Sequence, residues 1–364
     1  MMKARVIAFY LPQFHEIPEN NEWWGEGFTE WTSVKNAKPL FKGHVQPKVP
    51  GELGYYNLLD PDVRERQAEL AREAGIEGFC YWHYWFGNGK QLLERPFAEV
   101  LKSGKPDYPF CLGWANHTWI LEAWAKYKRE GDDVLIEQTY PGDEDIVAHF
   151  NKVLPAFKDE RYIKVDGKPL FLIWSPVNLP DPGHFMSIWN KLAVENGLLG
   201  VHFVGLQGGP LKEYRLTLDL GFDAMCWENF YSAEMKVSWL KTYLFTKLQR
   251  FSDSRLLLKK YHYRDIIANY FTKVDALENV YPTIVANFDR SPRGANKAVI
   301  YYGSTPALFK NHLEQAIACI KNKQEQHRIL FLRSWNEWGE GNYVEPDAEF
   351  GTQYLDVLRE CLSK

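Results

Sequence analysis

Closely spaced cysteines, phosphate-binding glycine loops and long apolar runs are all missing from this chain. Its five cysteines form no C-x-x-C pair, which argues against a disulfide framework or a thiolate metal site. No run of about 18 apolar residues occurs, so we predict no membrane span. The apolar segment Val6–Leu11 is too short for a secretory signal. We therefore expect a cytoplasmic protein with reduced thiols.

Signals for binding nucleic acid, metals and cofactors are equally scarce. The formal charge is −4 and the pI is about 6.2, so nucleic acid is not an expected partner. Neither G-x-G-x-x-G nor G-x-x-x-x-G-K is present. No H-E-x-x-H or H-x-H pattern occurs either; His83 and His117, which can meet across neighbouring strands, are interpreted as neutral hydrogen-bonding groups. We expect no metal and no cofactor.

One stretch, from Lys236 to Arg264, interleaves basic with apolar residues and predicts one or two amphipathic helices. A solvated helix face explains such a pattern, and a peripheral contact with a membrane or a partner protein is the alternative. The sequence does not indicate an oligomeric state.

Aromatic residues are abundant, with 14 Trp, 20 Tyr and 22 Phe. Many stand beside Asn, Gln, His and Glu, a mixture typical of carbohydrate sites and also of some protein interfaces.

Short apolar runs alternate with helical patterns along the chain. Near-continuous apolar runs are typical of parallel strands covered on both faces, and eight of them separated by helices predict a (β/α)₈ barrel of TIM type. A doubly wound sheet is the alternative, but the usual glycine-rich first turn is replaced by Pro12-Gln13-Phe14. The predicted strands are Arg5–Leu11, Gly78–Tyr84, Phe110–Ala115, Leu170–Trp174, His202–Leu206, Ala224–Trp227, Thr283–Asn287 and Ile329–Ser334.

Capping signals locate several helices between these strands. Asp60 before Pro61 predicts a helix start, and Gly75 predicts its end. Acidic residues from Asp143 and the proline Pro306 predict two further starts, and a last helix is predicted from about Thr352 to Leu362.

Two connections are much longer than the usual few residues. They cover residues 12–59, which are rich in aromatics, and residues 229–282, which we predict to be mainly helical. Because the loops after the strands of a barrel build its active site, the first connection is expected to form a wall or lid. We predict a single barrel domain over residues 1–364.

Hydrogen-bonding or aromatic groups stand at nearly every predicted strand end, where barrel enzymes carry their catalytic residues. A neutral polyol needs many donors and acceptors together with flat apolar faces. The predicted substrate-binding residues of this kind are Tyr10, Gln13, His83, Tyr84, Trp114, Asn116, Glu228, Asn287 and Asp289.

The string Arg333-Ser334-Trp335-Asn336-Glu337-Trp338-Gly339-Glu340-Gly341 follows the eighth predicted strand. If it forms a helical turn, Glu337 and Glu340 share a face with Cβ atoms roughly 5–6 Å apart. Retaining glycosidases hold their two carboxyl groups about 5–5.5 Å apart. We therefore predict Glu337 and Glu340 as catalytic and Trp335, Asn336 and Trp338 as substrate-binding; a tryptophan-rich loop with solvated glutamates is the alternative.

Taken together, these strings resemble the WbsX-like proteins, which belong with the glycoside hydrolase family 99-like domain. The resemblance covers nearly the whole chain and is carried by Phe9–His15, Trp23–Gly25, Gly27–Trp31, Gly78–Trp85, Trp114–Asn116, Asn287–Arg293 and Trp335–Gly341.

The resemblance implies a (β/α)₈ barrel and, for the enzymes of family 99, retaining endo-acting cleavage of α-mannosides. It implies that Glu337 is the base on the 2-hydroxyl of the sugar, which attacks the anomeric carbon to give a 1,2-anhydro sugar. It also implies that Glu340 is the general acid and then the base for water, which requires a raised pKa at Glu340. After Asn116 the family commonly has an acidic residue, and this chain has His117.

WbsX-like proteins are associated with the biosynthesis of surface polysaccharides such as O-antigen, capsule and lipopolysaccharide. We therefore predict an enzyme of glycosidase or transglycosylase type acting on an oligosaccharide or polysaccharide. The alternatives are a glycosyltransferase that uses an activated donor and a non-catalytic glycan-binding protein.

Overall fold

The computed structural model describes residues 4–120, 134–249, 252 and 254–363. Eight parallel strands form a closed barrel, which confirms the predicted (β/α)₈ fold. In chain order they are β1 (Arg5–Tyr10), β2 (Gly78–Trp85), β3 (Phe110–Trp114), β4 (Lys168–Ile173), β5 (His202–Gly208), β6 (Ala224–Glu228), β7 (Val280–Val285) and β8 (Ile329–Arg333).

Each strand pairs with its neighbour in sequence, and β1 closes the ring by pairing with both β2 and β8. The register of closure places Ala8 opposite Phe79 on one side and Leu332 on the other. Inside the barrel, the ring of Phe9 stacks on Trp82 at 4.8 Å and on Phe331 at 5.2 Å. All eight predicted strands are present, with ends shifted by a few residues, as is usual for boundaries read from sequence.

Helices follow the strands around the outside of the barrel. They are α1 (Pro61–Glu73), α2 (Arg95–Ser103), α3 (Asp143–Phe157), α4 (Pro182–Glu195), α5 (Leu216–Asp219), α6 (Phe230–Trp239), α7 (Pro306–Ile320) and α8 (Gln353–Leu362). The predicted caps have their expected roles: the Asp60 carboxylate accepts from the Asp62 amide at 3.0 Å, and Gly75 adopts a φ of +80° after α1.

The long connection after β1 contains two short helices, Pro18–Trp24 and Glu30–Asn36. Its chain lies over the carboxyl-terminal end of the barrel, since the Leu58 amide donates to the Phe14 carbonyl and the Gly51 amide to Pro346.

The connection after β6 is mainly helical, as predicted, and also contains one short strand. After α6 the chain continues through a π-helical segment, Leu240–Phe245, and a final turn, Thr246–Leu248. It then forms a strand, Lys259–His262, which pairs with Val299–Tyr302, and that strand pairs with Phe288–Asp289. The sequence did not indicate this strand because its partner lies about forty residues away in the chain.

No helix in the described ranges is long and apolar enough to cross a membrane.

Candidate active site

A cavity of about 790 Å³ opens at the carboxyl-terminal end of the barrel. This volume suits a small molecule or a few sugar rings. It is lined by residues at the ends of β1, β2, β3, β4 and β8 and by residues from the connections after β1, β3, β6, β7 and β8. As expected, the first long connection contributes to the site, through Gln13, Asn20 and Trp24.

Five aromatic residues of the lining, here called the aromatic wall, are Trp24, Trp82, Tyr84, Trp119 and Trp174. Four of these rings contact each other in two edge-to-face pairs: the ring centres of Trp82 and Trp174 lie 5.1 Å apart, and those of Tyr84 and Trp119 lie 5.2 Å apart. Edge-to-face packing fixes the ring planes and leaves flat apolar surfaces toward the cavity.

The basic residues of the lining, here called the cationic wall, are Lys259, Arg290, Arg293, Lys297 and Arg333, and Arg333 adjoins the aromatic wall, since its guanidinium lies 5.5 Å from the ring centre of Trp174. Arg333 is the last residue of β8, and Lys259 belongs to the strand in the insert after β6. The other three, Arg290, Arg293 and Lys297, lie in the connection after β7. Chain segments that are distant in sequence therefore build this wall together.

Glu337 and Glu340 both line the cavity. Residues Asn336–Glu337 pair with Asn342–Tyr343, and the turn Trp338–Glu340 between them is a 3₁₀ turn. Two close approaches require the glycines of this string: a Cβ at Gly339 would overlap the Glu30 carboxylate, and one at Gly341 would lie 2.7 Å from the Cβ of Asp289.

The guanidinium of Arg293 bridges three buried carboxylates. Its Nη2 lies 2.5 Å from Glu337 Oε1, its Nη1 lies 3.1 Å from Glu340 Oε1, and its Nε donates to Glu30 Oε1 at 2.9 Å. Glu30 is fully buried, and its ion pair with Arg293 holds the guanidinium in position. The two predicted catalytic carboxylates are therefore held by one shared cation.

The two carboxylates have different electrostatic surroundings. Burial is the main cause that raises the pKa of Glu337 to about 7, the charge of Glu340 adds to it, and Arg293 opposes it. Burial also acts to raise the pKa of Glu340, but Arg290, Arg293 and Arg333 outweigh it and lower that pKa to about 2. The expectation of a raised pKa at Glu340 was wrong, because Arg290 Nε lies 3.2 Å and Arg333 Nη2 lies 3.6 Å from this carboxylate.

Behind the motif, a buried hydrogen-bond network holds its backbone and indoles. The indole of Trp338 donates to Glu345 Oε2 at 2.6 Å, and Glu345 also accepts from Tyr56 and Gln67. Asn336 accepts from the Leu11 amide at 2.7 Å and donates to the Leu11 carbonyl at 3.0 Å, which ties the motif to the end of β1.

Of the predicted substrate-binding residues, Gln13 and Tyr84 line this cavity together with the two glutamates, and the other ten lie outside its lining. Those ten are buried or half-buried and make contacts within the protein: Tyr10 donates to Gln67, Trp114 to the Trp85 carbonyl, and Asn116 to the Ser175 carbonyl. Glu228 pairs with Arg333, Asn287 accepts from the Tyr343 amide, and Asp289 accepts from His44 and Gln46. Trp335, Asn336 and Trp338 belong to the buried part of the motif, and His83 faces α3.

The two histidines interpreted as hydrogen-bonding groups do not meet. His83 Nε2 lies 2.9 Å from Nε2 of His149 on α3, and burial lowers the pKa of His83 to about 3. The reason is the alternation of side chains along β2, which directs Trp82 and Tyr84 to the cavity and His83 away from it. Within the described residues, no group of three or more His, Cys, Asp or Glu side chains is arranged to hold a metal ion.

Among the charged residues of the site that sequence reasoning missed are Glu30, Arg290, Arg293 and Arg333. Arg333 stands directly before the motif, and the other three lie in strings that carry the family resemblance, so their position was a usable signal. It also missed Trp82, which the period of two along β2 places beside Tyr84.

Two polar side chains at the cavity have atoms without a protein partner in the described structure. Both side-chain atoms of the fully buried Asn20 are unpaired, and so is Nδ1 of His117. Buried polar groups usually have a partner. Both residues belong to the lining of the cavity, although the unpaired atoms themselves are buried.

Comparison with known proteins gives a consistent result. The family model described as glycosyltransferase WbsX matches residues 6–358. The protein WxcX of Xanthomonas campestris pv. campestris, whose function is uncharacterized, is 34% identical over 366 residues in strain B100, and the match covers this whole chain and 50% of WxcX. The chain thus spans about half the length of that relative.

Among solved structures, a glycoside hydrolase-like protein superimposes with a TM-score of 0.66 at 16% identity, covering 100% of this chain and 94% of the other. The GH99 endo-alpha-mannosidase of Bacteroides thetaiotaomicron superimposes with a TM-score of 0.53 at 14% identity, covering 99% and 96%. At such identities these two likenesses establish the fold.

Proposed function

The chain belongs to the glycosyltransferase WbsX family of carbohydrate-active proteins, and on that premise we propose that it breaks and forms glycosidic bonds at Glu337 and Glu340. The observation that carries the proposal is the position of these two carboxylates, which share the Arg293 guanidinium and both open onto one cavity. Enzymes that cleave glycosidic bonds usually use two carboxyl groups whose pKa values differ.

The aromatic wall supports a glycan as the substrate. Indole rings in the cavity offer flat apolar faces to sugar rings. The name of the structurally similar endo-alpha-mannosidase suggests an α-mannoside or a related sugar. The family suggests a setting in surface polysaccharide metabolism.

The resting charges favour a particular division of labour between the two glutamates. Glu340, contacted by three arginines, is the anion, and Glu337 holds the proton near neutral pH. In this allocation Glu340 accepts the proton of the 2-hydroxyl while that oxygen attacks the anomeric carbon. Glu337 donates its proton to the departing oxygen, and a 1,2-anhydro sugar remains.

In the second half of the reaction, water or a sugar hydroxyl attacks the anomeric carbon and opens the anhydro ring. The carboxylate of Glu337 accepts the proton of the attacking water or hydroxyl. The 2-oxygen of the sugar, released when the anhydro ring opens, recovers its proton from Glu340. Two inversions give net retention. This allocation is the reverse of the one that the family resemblance implies.

Glycosyl transfer from an activated donor is the second candidate, and the cationic wall favours it. Lys259, Arg290 and Lys297 line the cavity and suit an anionic leaving group such as a phosphate or diphosphate. In this case the leaving group needs no proton, and the role of Glu337 is confined to the acceptor hydroxyl.

The test compares the Glu337→Gln and Glu340→Gln variants on two kinds of substrate. On α-mannosides and related oligosaccharides, each variant is expected to lose about 10²–10⁴-fold in kcat while still binding the substrate. On an aryl glycoside whose phenolate leaves without a proton, Glu337→Gln is expected to recover activity and Glu340→Gln is not. Recovery in Glu340→Gln instead would establish the allocation implied by the resemblance. Full activity of both variants would refute the proposal, and turnover only with a sugar (di)phosphate donor would establish the transferase.

A further inference from the structure

The segment Trp239–Leu248, here called the insert helix, directs its apolar side chains outward. Trp239, Leu240, Tyr243, Leu244 and Leu248 are between 38% and 62% exposed. Their spacing of one, three and four residues places them along one side of the helix. Leu256, in the segment that follows, is 87% exposed.

The inner side of the same helix is polar. The Thr242 hydroxyl bonds to the Ser238 carbonyl at 3.0 Å and to the Tyr261 hydroxyl at 2.9 Å. The amide of Gln249, which follows the helix, donates to the Leu257 carbonyl at 3.0 Å. The polarity is therefore reversed relative to an ordinary surface helix, which buries its apolar side.

Helix α7 of the same protein provides the ordinary case. Phe309, Leu313 and Ala316 are buried against the barrel, whereas Asn311 and Glu314 are exposed. Since one chain contains both kinds of helix, the reversal is a local property of the insert. Contiguous exposed apolar groups of this kind mark interaction surfaces.

The charge of the insert identifies the kind of partner. Between Lys236 and Arg264 the sequence has eight basic residues and one acidic residue, although the whole chain has a net charge of −4. Lys236, in α6 just before the insert helix, and Lys247, within it, are both exposed, and Nζ of Lys247 donates to the Tyr243 hydroxyl at 2.6 Å. Apolar side chains mixed with tryptophan, tyrosine and lysine are typical of helices that lie in the interface of an anionic membrane.

We propose that the insert helix docks the protein on an anionic lipid surface. The apolar side chains enter the boundary between headgroups and acyl chains, and the lysines contact lipid phosphates. The docking site lies close to the cavity, since Thr246 of the helix accepts a hydrogen bond at 3.1 Å from Lys259 of the cationic wall. Docking thus holds the cavity near the membrane surface.

The test is flotation of the full chain with vesicles of phosphatidylcholine containing phosphatidylglycerol, or with phosphatidylcholine alone. We expect binding to the anionic vesicles that falls steeply as the salt concentration rises. The double variant Leu240→Ser/Leu244→Ser is expected to bind at least about tenfold more weakly, because two apolar contacts are lost. Charge reversal at Lys236 and Lys247 is expected to weaken binding by a similar factor.

The matched control is Leu199→Ser, which changes an exposed leucine in the connection between α4 and β5. It is expected to bind as the unchanged protein does, and all variants are expected to keep their melting temperature because the altered side chains are exposed. Absence of vesicle binding by the unchanged protein, or equal binding by the double variant, would overturn the proposal. A dimer seen by light scattering that the double variant abolishes, without vesicle binding, would identify the face as a contact between two copies of the chain.

Discussion

The aromatic wall and the cationic wall face the same cavity, yet different forces hold their side chains in place. The rings of Trp82, Tyr84, Trp119 and Trp174 pack against one another, and their contacts are short-ranged. The arginines share carboxylates, so each charge depends on the others. A substitution in the aromatic wall should therefore have local effects, and one in the cationic wall should change several groups together.

Two buried glutamates illustrate the same contrast. Glu345 lies behind the aromatic side of the motif and accepts hydrogen bonds from Trp338, Tyr56 and Gln67; burial raises its pKa to about 7. Glu340 is also buried, but the guanidiniums around it bring its pKa down to about 2. The neighbouring charges, and not burial alone, decide the state of each carboxylate.

The largest expected effect comes from removing the central cation of the cationic wall. Arg293→Met leaves Glu30, Glu337 and Glu340 without their shared counterion, so we expect the free energy of unfolding to fall by about 3–5 kcal/mol. Turnover should be lost as well. Denaturant titration at pH 7 measures the first effect, and glycan turnover measures the second.

Arg290→Met is the matched control, because its side chain is 47% exposed at the rim of the cavity. We expect it to change the free energy of unfolding by no more than about 1 kcal/mol. Equal losses in the two variants would show that burial of Arg293 does not set the stability of the site.

The next effect concerns the pH dependence of stability. Glu337 and Glu345 both have a pKa that is raised from 4.5 to about 7. Between about pH 4.5 and pH 7 the folded state therefore binds more protons than the unfolded state. Their contribution to stability is complete below the unfolded-state pKa and is lost as the pH rises through about 7. Each group is expected to change the free energy of unfolding by up to about 3 kcal/mol over this pH range. Glu345→Gln should reduce the slope of unfolding free energy against pH, and an unchanged slope would contradict it.

The pH profile of activity tests the connection between the cationic wall and Glu340. If Glu337 must hold the proton, kcat/KM should fall about tenfold per pH unit above its pKa near 7. Arg290→Gln should raise the pKa of Glu340 and move the acid limb toward higher pH while the alkaline limb stays in place. Trp119→Phe, in the aromatic wall, should move neither limb.

The smallest effect is expected in the aromatic wall itself. Trp119→Ala removes a stacking face that is only partly buried, so we expect glycan binding to weaken by about 1–2 kcal/mol with little change in folding stability. Calorimetric titration in the Glu337→Gln background measures this loss without turnover. Trp119→Phe should retain part of the affinity; a melting temperature that falls along with the affinity would instead indicate a structural role.

The barrel could be read from the sequence because its signals are local. Each apolar run, such as Ile329–Arg333, is long enough to specify a buried parallel strand, and caps such as Asp60-Pro61 specify where helices begin. The motif Trp335–Gly341 likewise shows its two carboxylates within four residues of each other. The sequence was therefore sufficient to predict the strand order and the helix positions. It was also sufficient to predict that the catalytic candidates lie at the end of β8.

Only the tertiary structure decided the charges of the site. Glu30, Arg293 and Glu337 are separated by hundreds or tens of residues, and nothing in their local sequence indicates that they share an ion-pair network. Electrostatic interactions act through space, so the pKa of Glu340 depended on which guanidiniums folding brought near it. The same holds for the insert helix, whose amphipathic pattern was visible in the sequence, although only its packing against Tyr261 revealed that the apolar side faces outward.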